Sequence, residues 1–330
     1  MRLQNWRAPG QSIQSRAVNG FLSSTWRPIS ALVPDNRIAL RLTRGVIARG
    51  MAVGSPIARG TSIERVEAAT SAGPIVRGEW VRCGRSSDDG AILYVHGSGY
   101  VVCSSRTHRG LTSRISADTG LPVFSVDYRL APSHQYPAAH QDVRAAWEWL
   151  LDQGIDPSRV IVAGDSAGGH LAITLCLELA REGNPLPAGI VALSPVIDLS
   201  LRAGGTRDRI ERDPFIAPVI ARQALASYAD ETAQEHDGLR IAFDDLEAFP
   251  PALIHAGSRE LLAADSTELV RRLHRAGFYA QYRVWPGQMH VFQAMTALIP
   301  ESHAALAEIA RFVSTHVPAV REPELKAVPA

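Results

Sequence analysis

Lysine is nearly missing from this chain: of 34 basic residues, Lys326 alone is not an arginine. That imbalance reflects coding composition rather than chemistry. Cysteine is scarce as well. Cys83, Cys103 and Cys176 make an odd count with no C-x-x-C pair, which argues against a metal site or a disulfide framework. It fits a reducing compartment, so a cytoplasmic location is expected. No segment approaches the run of about 20 apolar residues that a membrane span needs. The opening Met1–Arg7 stretch lacks an apolar core of the kind a secretory leader carries. A formal net charge of +1 predicts no overall attraction to nucleic acid. Hydrophobic residues at 46% and charged residues at 20% are the proportions of an ordinary globular protein with a large core.

The balanced total hides an asymmetry. Residues 1–60 hold nine arginines and a single acid, Asp35. Arg37, Arg41 and Arg44 fall on one face of a predicted helix, with Ile38, Leu42 and Val46 on another. Two readings compete: a helix resting on an anionic membrane surface, and the favoured one, a cap helix whose arginines are solvated.

Residues 1 to 75 carry helix signals and scattered Gly and Pro, with no clear strand ladder. From Ala91 the texture changes. Apolar runs at 91–95, 122–126, 159–163, 188–193, 250–256 and 280–285 alternate with amphipathic stretches at 105–117, 138–153, 266–276 and 302–316. Strand and helix in alternation imply a mostly parallel, doubly wound sheet flanked by helices, with its ligand crevice at the strands' carboxyl ends. A polar and then moderately apolar segment, 200–248, breaks that rhythm. The expected organisation is therefore a catalytic α/β domain from 76–199 and 249–317, a cap inserted at 200–248, an N-terminal helical segment at 1–75 contributing to the cap, and a frayed Pro-rich tail at 318–330.

Gly164-Asp165-Ser166-Ala167-Gly168 is the most informative stretch. This G-x-S-x-G pattern lies between a β-branched strand and a helix. It is the nucleophile elbow of an α/β-hydrolase fold, a sharp turn that exposes the serine at the end of the sheet. A serine hydroxyl needs a base to take its proton as it attacks. His290 follows the last predicted strand in a Gly/Pro loop and completes the chain order serine, acid, histidine. His255 is set aside as a strand residue, and His274 and His316 as helical ones. Two carboxylates compete for the acid. Glu260 lies in the turn after the 250–256 strand and is preferred, because the acid must sit at a strand end. Asp265 stands where it would cap the next helix. His96-Gly97-Ser98-Gly99-Tyr100, directly after an early strand, occupies the place of an oxyanion-hole loop whose amides would act with that of Ala167.

Three blocks together resemble the hormone-sensitive-lipase family of α/β-hydrolases, whose bacterial members are carboxylesterases: His96–Gly99; Asp127-Tyr128-Arg129-Leu130-Ala131-Pro132 with Pro137-Ala138 and Asp142; and Gly164–Gly169. Ser194–Leu199 and Gly257–Leu262 are similar to it too, and the likeness runs from about residue 75 to 315. It implies catalytic Ser166, Glu260 and His290, with the oxyanion on the amides of Ser98, Gly99 and Ala167. It also suggests that the strand Ala280–Trp285 is a sheet edge available for a homodimer. Ser98 departs from the family's glycine. Most members carry aspartate at the position of Glu260, and a subset carries glutamate. Asp127, Asp165 and Asp198 are read as loop organisers, and Tyr100 and Phe215 as pocket-lining aromatics or core. The expected reaction is hydrolysis of short- to medium-chain acyl esters through an acyl-enzyme, with no cofactor and no metal. An amidase or acyltransferase using the same residues is the alternative. A non-catalytic receptor, as in the related gibberellin receptors that lack the histidine, is a further one.

Overall fold

The computed structural model of the protein describes residues 9–32, 36–70, 73–84, 86–87, 90–97, 99–230 and 236–317. Ser98 and the tail 318–330 lie outside the described residues.

Among the described residues one sheet holds eight strands, the six apolar runs among them. In chain order these are β1 (Thr61–Ala68), β2 (Val76–Cys83), β3 (Ala91–Val95), β4 (Val123–Val126), β5 (Val160–Asp165), β6 (Gly189–Leu193), β7 (Ala252–Gly257) and β8 (Ala280–Trp285). Across the sheet they run β1-β2-β4-β3-β5-β6-β7-β8. From β4 to β8 every pairing is parallel, whereas β1 and β2 are antiparallel to each other and β2 to β4. Strand β8 ends the sheet on its side, as expected for Ala280–Trp285. Residues 61–68, read from sequence as part of a strand-free segment, instead form β1. Its side chains alternate between half-buried and exposed positions, and four of its eight residues are Ser, Glu or Arg on the outside of the sheet. An edge strand tolerates that polarity, so no apolar run announces it.

Both faces of the sheet are covered, which is why the central strands are apolar throughout. Leu93, Val95, Val160 and Val162 pack with Val143, Trp147 and Leu150 of α5 (Ala138–Asp152), with Leu171 and Leu175 of α6 (Ala167–Arg181), and with Leu269 and Leu273 of a later helix, Ala263–Arg275. The alternate residues Ile92, Tyr94, Ile161 and Ala163 point the other way. They meet Leu111 and Ile115 of α4 (Ser105–Thr119) and Leu306, Ile309 and Phe312 of the last helix, Glu301–His316. Among the described residues, two further helices, α7 (Arg202–Ile210) and α8 (Pro218–Tyr228), occupy the interruption between β6 and β7, so the helices that follow are numbered α9 (Ala263–Arg275) and α10 (Glu301–His316). Helix α7 arises from a segment read only as polar.

Before the sheet come α1 (Ile13–Ser24), α2 (Trp26–Ser30) and α3 (Arg37–Gly54). Hydrogen bonds and apolar packing tie them to the body. Ser12 donates through its backbone N–H and its hydroxyl to Glu301, Arg27 pairs with Asp208 of α7 at 2.6 Å, and Arg44 donates to the carbonyl of Val101. The end of α3 passes so close to α4 that a Cβ on Gly110 would stand 1.7 Å from the Ser55 carbonyl oxygen. No helix among the described residues is long and apolar enough to cross a membrane.

Gly110→Ala therefore forces α3 and α4 apart. We expect it to lower the unfolding free energy by about 1–3 kcal/mol, measured by urea denaturation. An unchanged midpoint would show that this approach carries no constraint.

Candidate active site

Strand order assembles the site. Because β3 and β6 flank β5, the loops leaving their carboxyl ends converge on the turn after Asp165. The turn is tight. Ser166 sits at φ 53°, ψ −120°, a left-handed backbone that costs a non-glycine residue about 1–3 kcal/mol. Neighbouring contacts hold it there. Its N–H donates to the Leu193 carbonyl at 2.8 Å, and its own carbonyl accepts from His170 and Val196. A Cβ on Gly168 would lie 2.0 Å from the Val95 carbonyl oxygen, so only glycine lets α6 pass β3 this closely.

Asp165 fixes the loop after β3. One carboxylate oxygen accepts from the Tyr94 hydroxyl at 2.6 Å and from the Gly97 N–H at 2.9 Å, and the His108 ring stands 3.4 Å away. These partners, His108 first among them, hold the Asp165 carboxyl below its ordinary range despite burial. The Gly97 amide is thus already engaged. Gly99, which lines the cavity, and Ala167, at the start of α6, are the remaining described amides expected from sequence to face an oxyanion. The N–H of Ala167 has no acceptor within its own helix, because it is the first helical residue. Asp127 accepts from Ser105 at the start of α4, and Asp198 from Ser200. All three aspartates organise loops.

Ser166 and His290 line one cavity of about 440 Å³. Its walls are apolar, with Leu40, Ile47 and Met51 from α3, and Phe215, Ile216 and Ile220 from the segment around α8. Tyr100 is not among them. It is fully buried, stacks on Tyr228 with ring centroids 4.0 Å apart, and meets the His170 ring at 2.9 Å. No hydrogen bond joins Ser166 Oγ to the His290 ring. Such contacts are often loose before substrate binds.

Behind the imidazole lies Glu260, whose Oε2 is 3.8 Å from His290 Nδ1. Nδ1 and Glu260 Oε1 are both buried without a hydrogen-bond partner, so a small ring movement that brings Nδ1–H to the carboxylate would satisfy an otherwise costly donor. Burial pushes His290 down to about 4, partly opposed by the negative charge of Asp165. Burial likewise holds the Glu260 carboxyl well above its usual range, while the Ser194 hydroxyl acts the other way. Each neutral form is favoured by the dry surroundings, and a charge on either favours the opposite charge on the other.

Asp265 is elsewhere. Helix α9 begins at Ala263 after Leu262, so Asp265 is not its cap. Its carboxylate instead accepts the N–H groups of Ile197 and Asp198. His255 is buried against Glu308, and His274 and His316 bond the backbone carbonyls of Ala280 and Phe312.

Sequence reasoning missed three residues that hold the acid turn. The Ser194 hydroxyl donates to Glu260 Oε2 at 2.6 Å and accepts the Val291 N–H at 3.2 Å, so it bridges the acid to the residue after His290. Buried Asp213 accepts the Leu261 N–H at 2.8 Å and those of Phe215 and Ile216. Arg207 of α7 donates to the carbonyls of Ser258 and Glu260. Ser194 had a legible signal, since it follows an apolar strand at its carboxyl end. Asp213 and Arg207 had none, because they lie far away in sequence.

Comparison with known proteins places these features in a family. A family model described as the alpha/beta hydrolase fold matches residues 92–294. An esterase of Acinetobacter venetianus is 33% identical over 242 residues, covering 73% of this chain and 79% of its own. The carboxylesterase/phospholipase LipF of Mycobacterium tuberculosis is 35% identical over 265 residues, covering 77% and 69%. The solved structure of an esterase from the bacterial hormone-sensitive lipase family superposes with a TM-score of 0.83 at 32% identity, over 94% of this chain and all of that one.

The dry setting of His290 predicts a titration measurable by NMR of its ring protons. The inflection is expected near about 4, well below the ordinary 6.5. Since an unfolded imidazole takes up its proton first, this group withdraws stability as pH falls from about 6.5 towards 4. A midpoint at 6.5 would mean that the ring is wet.

Proposed function

The chain belongs to the hormone-sensitive-lipase family of α/β-hydrolases, and from that premise we propose that it is a serine carboxylesterase acting on short- to medium-chain acyl esters. Ser166 is its nucleophile, His290 its general base and Glu260 the acid that orients the imidazole. One observation carries the reading. A serine at φ 53° shares an apolar cavity with a buried imidazole whose far nitrogen stands 3.8 Å from a carboxylate.

The chemistry follows from that placement. As Ser166 Oγ attacks the ester carbonyl, His290 removes its proton. The carbonyl oxygen, now negative, rests on the amides of Gly99 and Ala167. The Ser98 amide, implied by family likeness, lies outside the described residues. Losing one such donor costs about 3 kcal/mol of transition-state stabilisation. His290 then passes the proton to the departing alcohol, leaving an acyl group on Ser166, and water releases the acid by the same steps in reverse. The positive charge that His290 carries between steps is stabilised by Glu260, which Ser194 holds in position.

We further propose that α1–α3 in the 1–75 segment and the 200–248 insertion act as the cap over 76–199 and 249–317. This is supported by the cavity walls, which come largely from α3 and from the segment around α8. A cap of this kind sets acyl length and excludes water from the reacting centre. Cys83, Cys103 and Cys176 are all free thiols, which supports a cytoplasmic location. The edge position of β8 supports a homodimer formed by strand pairing across that edge. An amidase or acyltransferase would use the same residues, and the apolar walls do not distinguish them.

Turnover of p-nitrophenyl esters from acetate to palmitate tests the reading. The profile should peak between acetate and octanoate and fall by at least about tenfold at palmitate as the acyl chain outgrows the cavity. Ser166→Ala should cut kcat by at least about 10⁴-fold. No turnover of any chain length by the wild type, or full activity in the alanine variant, would overturn it.

Ser194→Ala keeps Ser166 and His290 in the chain but frees Glu260 Oε2 and the Val291 N–H. It should lower kcat about 10- to 100-fold, with KM little changed. An unaltered kcat would make Ser194 merely a packing residue.

A further inference from the structure

Helix α3 is apolar on two sides. One side, Leu40, Thr43, Ile47 and Met51, lines the cavity. The other carries Ile38, Leu42, Val46 and Val53, which are 74%, 68%, 51% and 71% exposed. The favoured sequence reading of a cap helix with solvated arginines is thus only partly met. Arg44 turns inward to the Val101 carbonyl, the side chain of Arg37 lies outside the described residues, and the aliphatic residues face solvent. Spacings of four, four and seven place the four aliphatic side chains on one stripe about 80° wide. Single exposed apolar residues are ordinary on protein surfaces, but a stripe along one helix is not. Ile29 and Leu32, in and just after α2, extend the exposed apolar surface next to the cavity-lining Trp26 and Ser30.

We propose that this outer face of α3, with its neighbours on α2, docks on an anionic lipid surface. Charge selects that occupant. Arg41 is exposed beside the stripe and Arg49 within it, between Val46 and Val53, and among the described residues neither pairs with a carboxylate. Across residues 1–60 nine arginines stand against one acid. A second copy of the chain, packed about a two-fold axis, would set one arginine-rich face against another. An anionic bilayer accepts both features at once: aliphatic side chains enter the acyl boundary while the guanidinium groups reach up to the phosphates.

The position gives docking a purpose. Asn36 and Gln223 are exposed residues that also line the cavity, which marks its mouth beside the start of α3, two residues from Ile38. A chain seated on this face holds that mouth near esters dissolved in the lipid. The proposal deepens the esterase reading by naming where its substrate is met, and rests on that reading only for this purpose.

Co-sedimentation of the full chain with vesicles tests it, comparing phosphatidylcholine alone with phosphatidylcholine containing phosphatidylglycerol. The wild type should bind the anionic vesicles at least about tenfold more tightly, and less so at high salt. Ile38→Ser/Leu42→Ser/Val46→Ser and, separately, Arg41→Glu/Arg49→Glu should each lose at least about tenfold of that binding. Both variants should keep the turnover of soluble p-nitrophenyl butyrate. The arginine pair leaves every apolar contact in place, so it serves even if the triple variant folds poorly. Equal binding to both vesicles, or variants that bind as the wild type does, would overturn the proposal. So would a concentration-dependent dimer abolished by the triple variant. Failure of the esterase reading would instead appear as absent butyrate turnover, whatever the vesicles do.

Discussion

The site depends on one constraint: the chain must leave β5, reverse at Ser166 and enter α6 without room for side chains on the inner surface of the turn. Meeting it requires a left-handed serine, and a glycine at 168 where a Cβ would run into the Val95 carbonyl. The strain is held by backbone hydrogen bonds to Leu193, Val196 and His170. Because those partners belong to β6, its following loop and α6, the sheet order that stabilises the fold also fixes the hydroxyl. Stability and chemistry are coupled at this turn, which is characteristic of places where a fold stores strain.

A second coupling runs outward from the acid. Glu260 is buried and costly to ionise, and nearly every group around it belongs to another element: Ser194 after β6, Asp213 and Arg207 from the insertion, and His290 after β8. The segment that walls the cavity therefore also holds the backbone of the acid turn. Phe215 and Ile216, which line the cavity, and Leu261, the residue after Glu260, all donate backbone N–H groups to the one Asp213 carboxylate.

Much of this was legible in the sequence, for reasons that separate local from distant physics. The central strands announced themselves as β-branched runs because both of their faces are covered. Ser166, Glu260 and His290 each follow such a run, so their place at one end of the sheet could be inferred from connectivity. Strand β1 could not, since its alternating charges are those of a solvated edge. Asp265 looked like a helix cap because its neighbours are Ser and Thr, but the helix had already begun at Ala263, and the carboxylate turned to a loop 67 residues away in sequence. Tyr100 was open to two readings, a pocket-lining aromatic or core. Its ring is spent on a buried stack with Tyr228. The outward stripe of α3 was visible as a pattern, but only the fold decides which of two apolar sides faces the cavity and which faces solvent.

The account is tested most directly by trapping the reacting geometry. A crystal structure after reaction with a p-nitrophenyl alkylphosphonate should show phosphorus bonded to Ser166 Oγ. The phosphoryl oxygen should lie within hydrogen-bond distance of the Gly99 and Ala167 amides, the alkyl chain should run between α3 and α8, and His290 Nδ1 should be drawn onto Glu260. Phosphorus on any other residue, or a phosphoryl oxygen turned away from both amides, would contradict it.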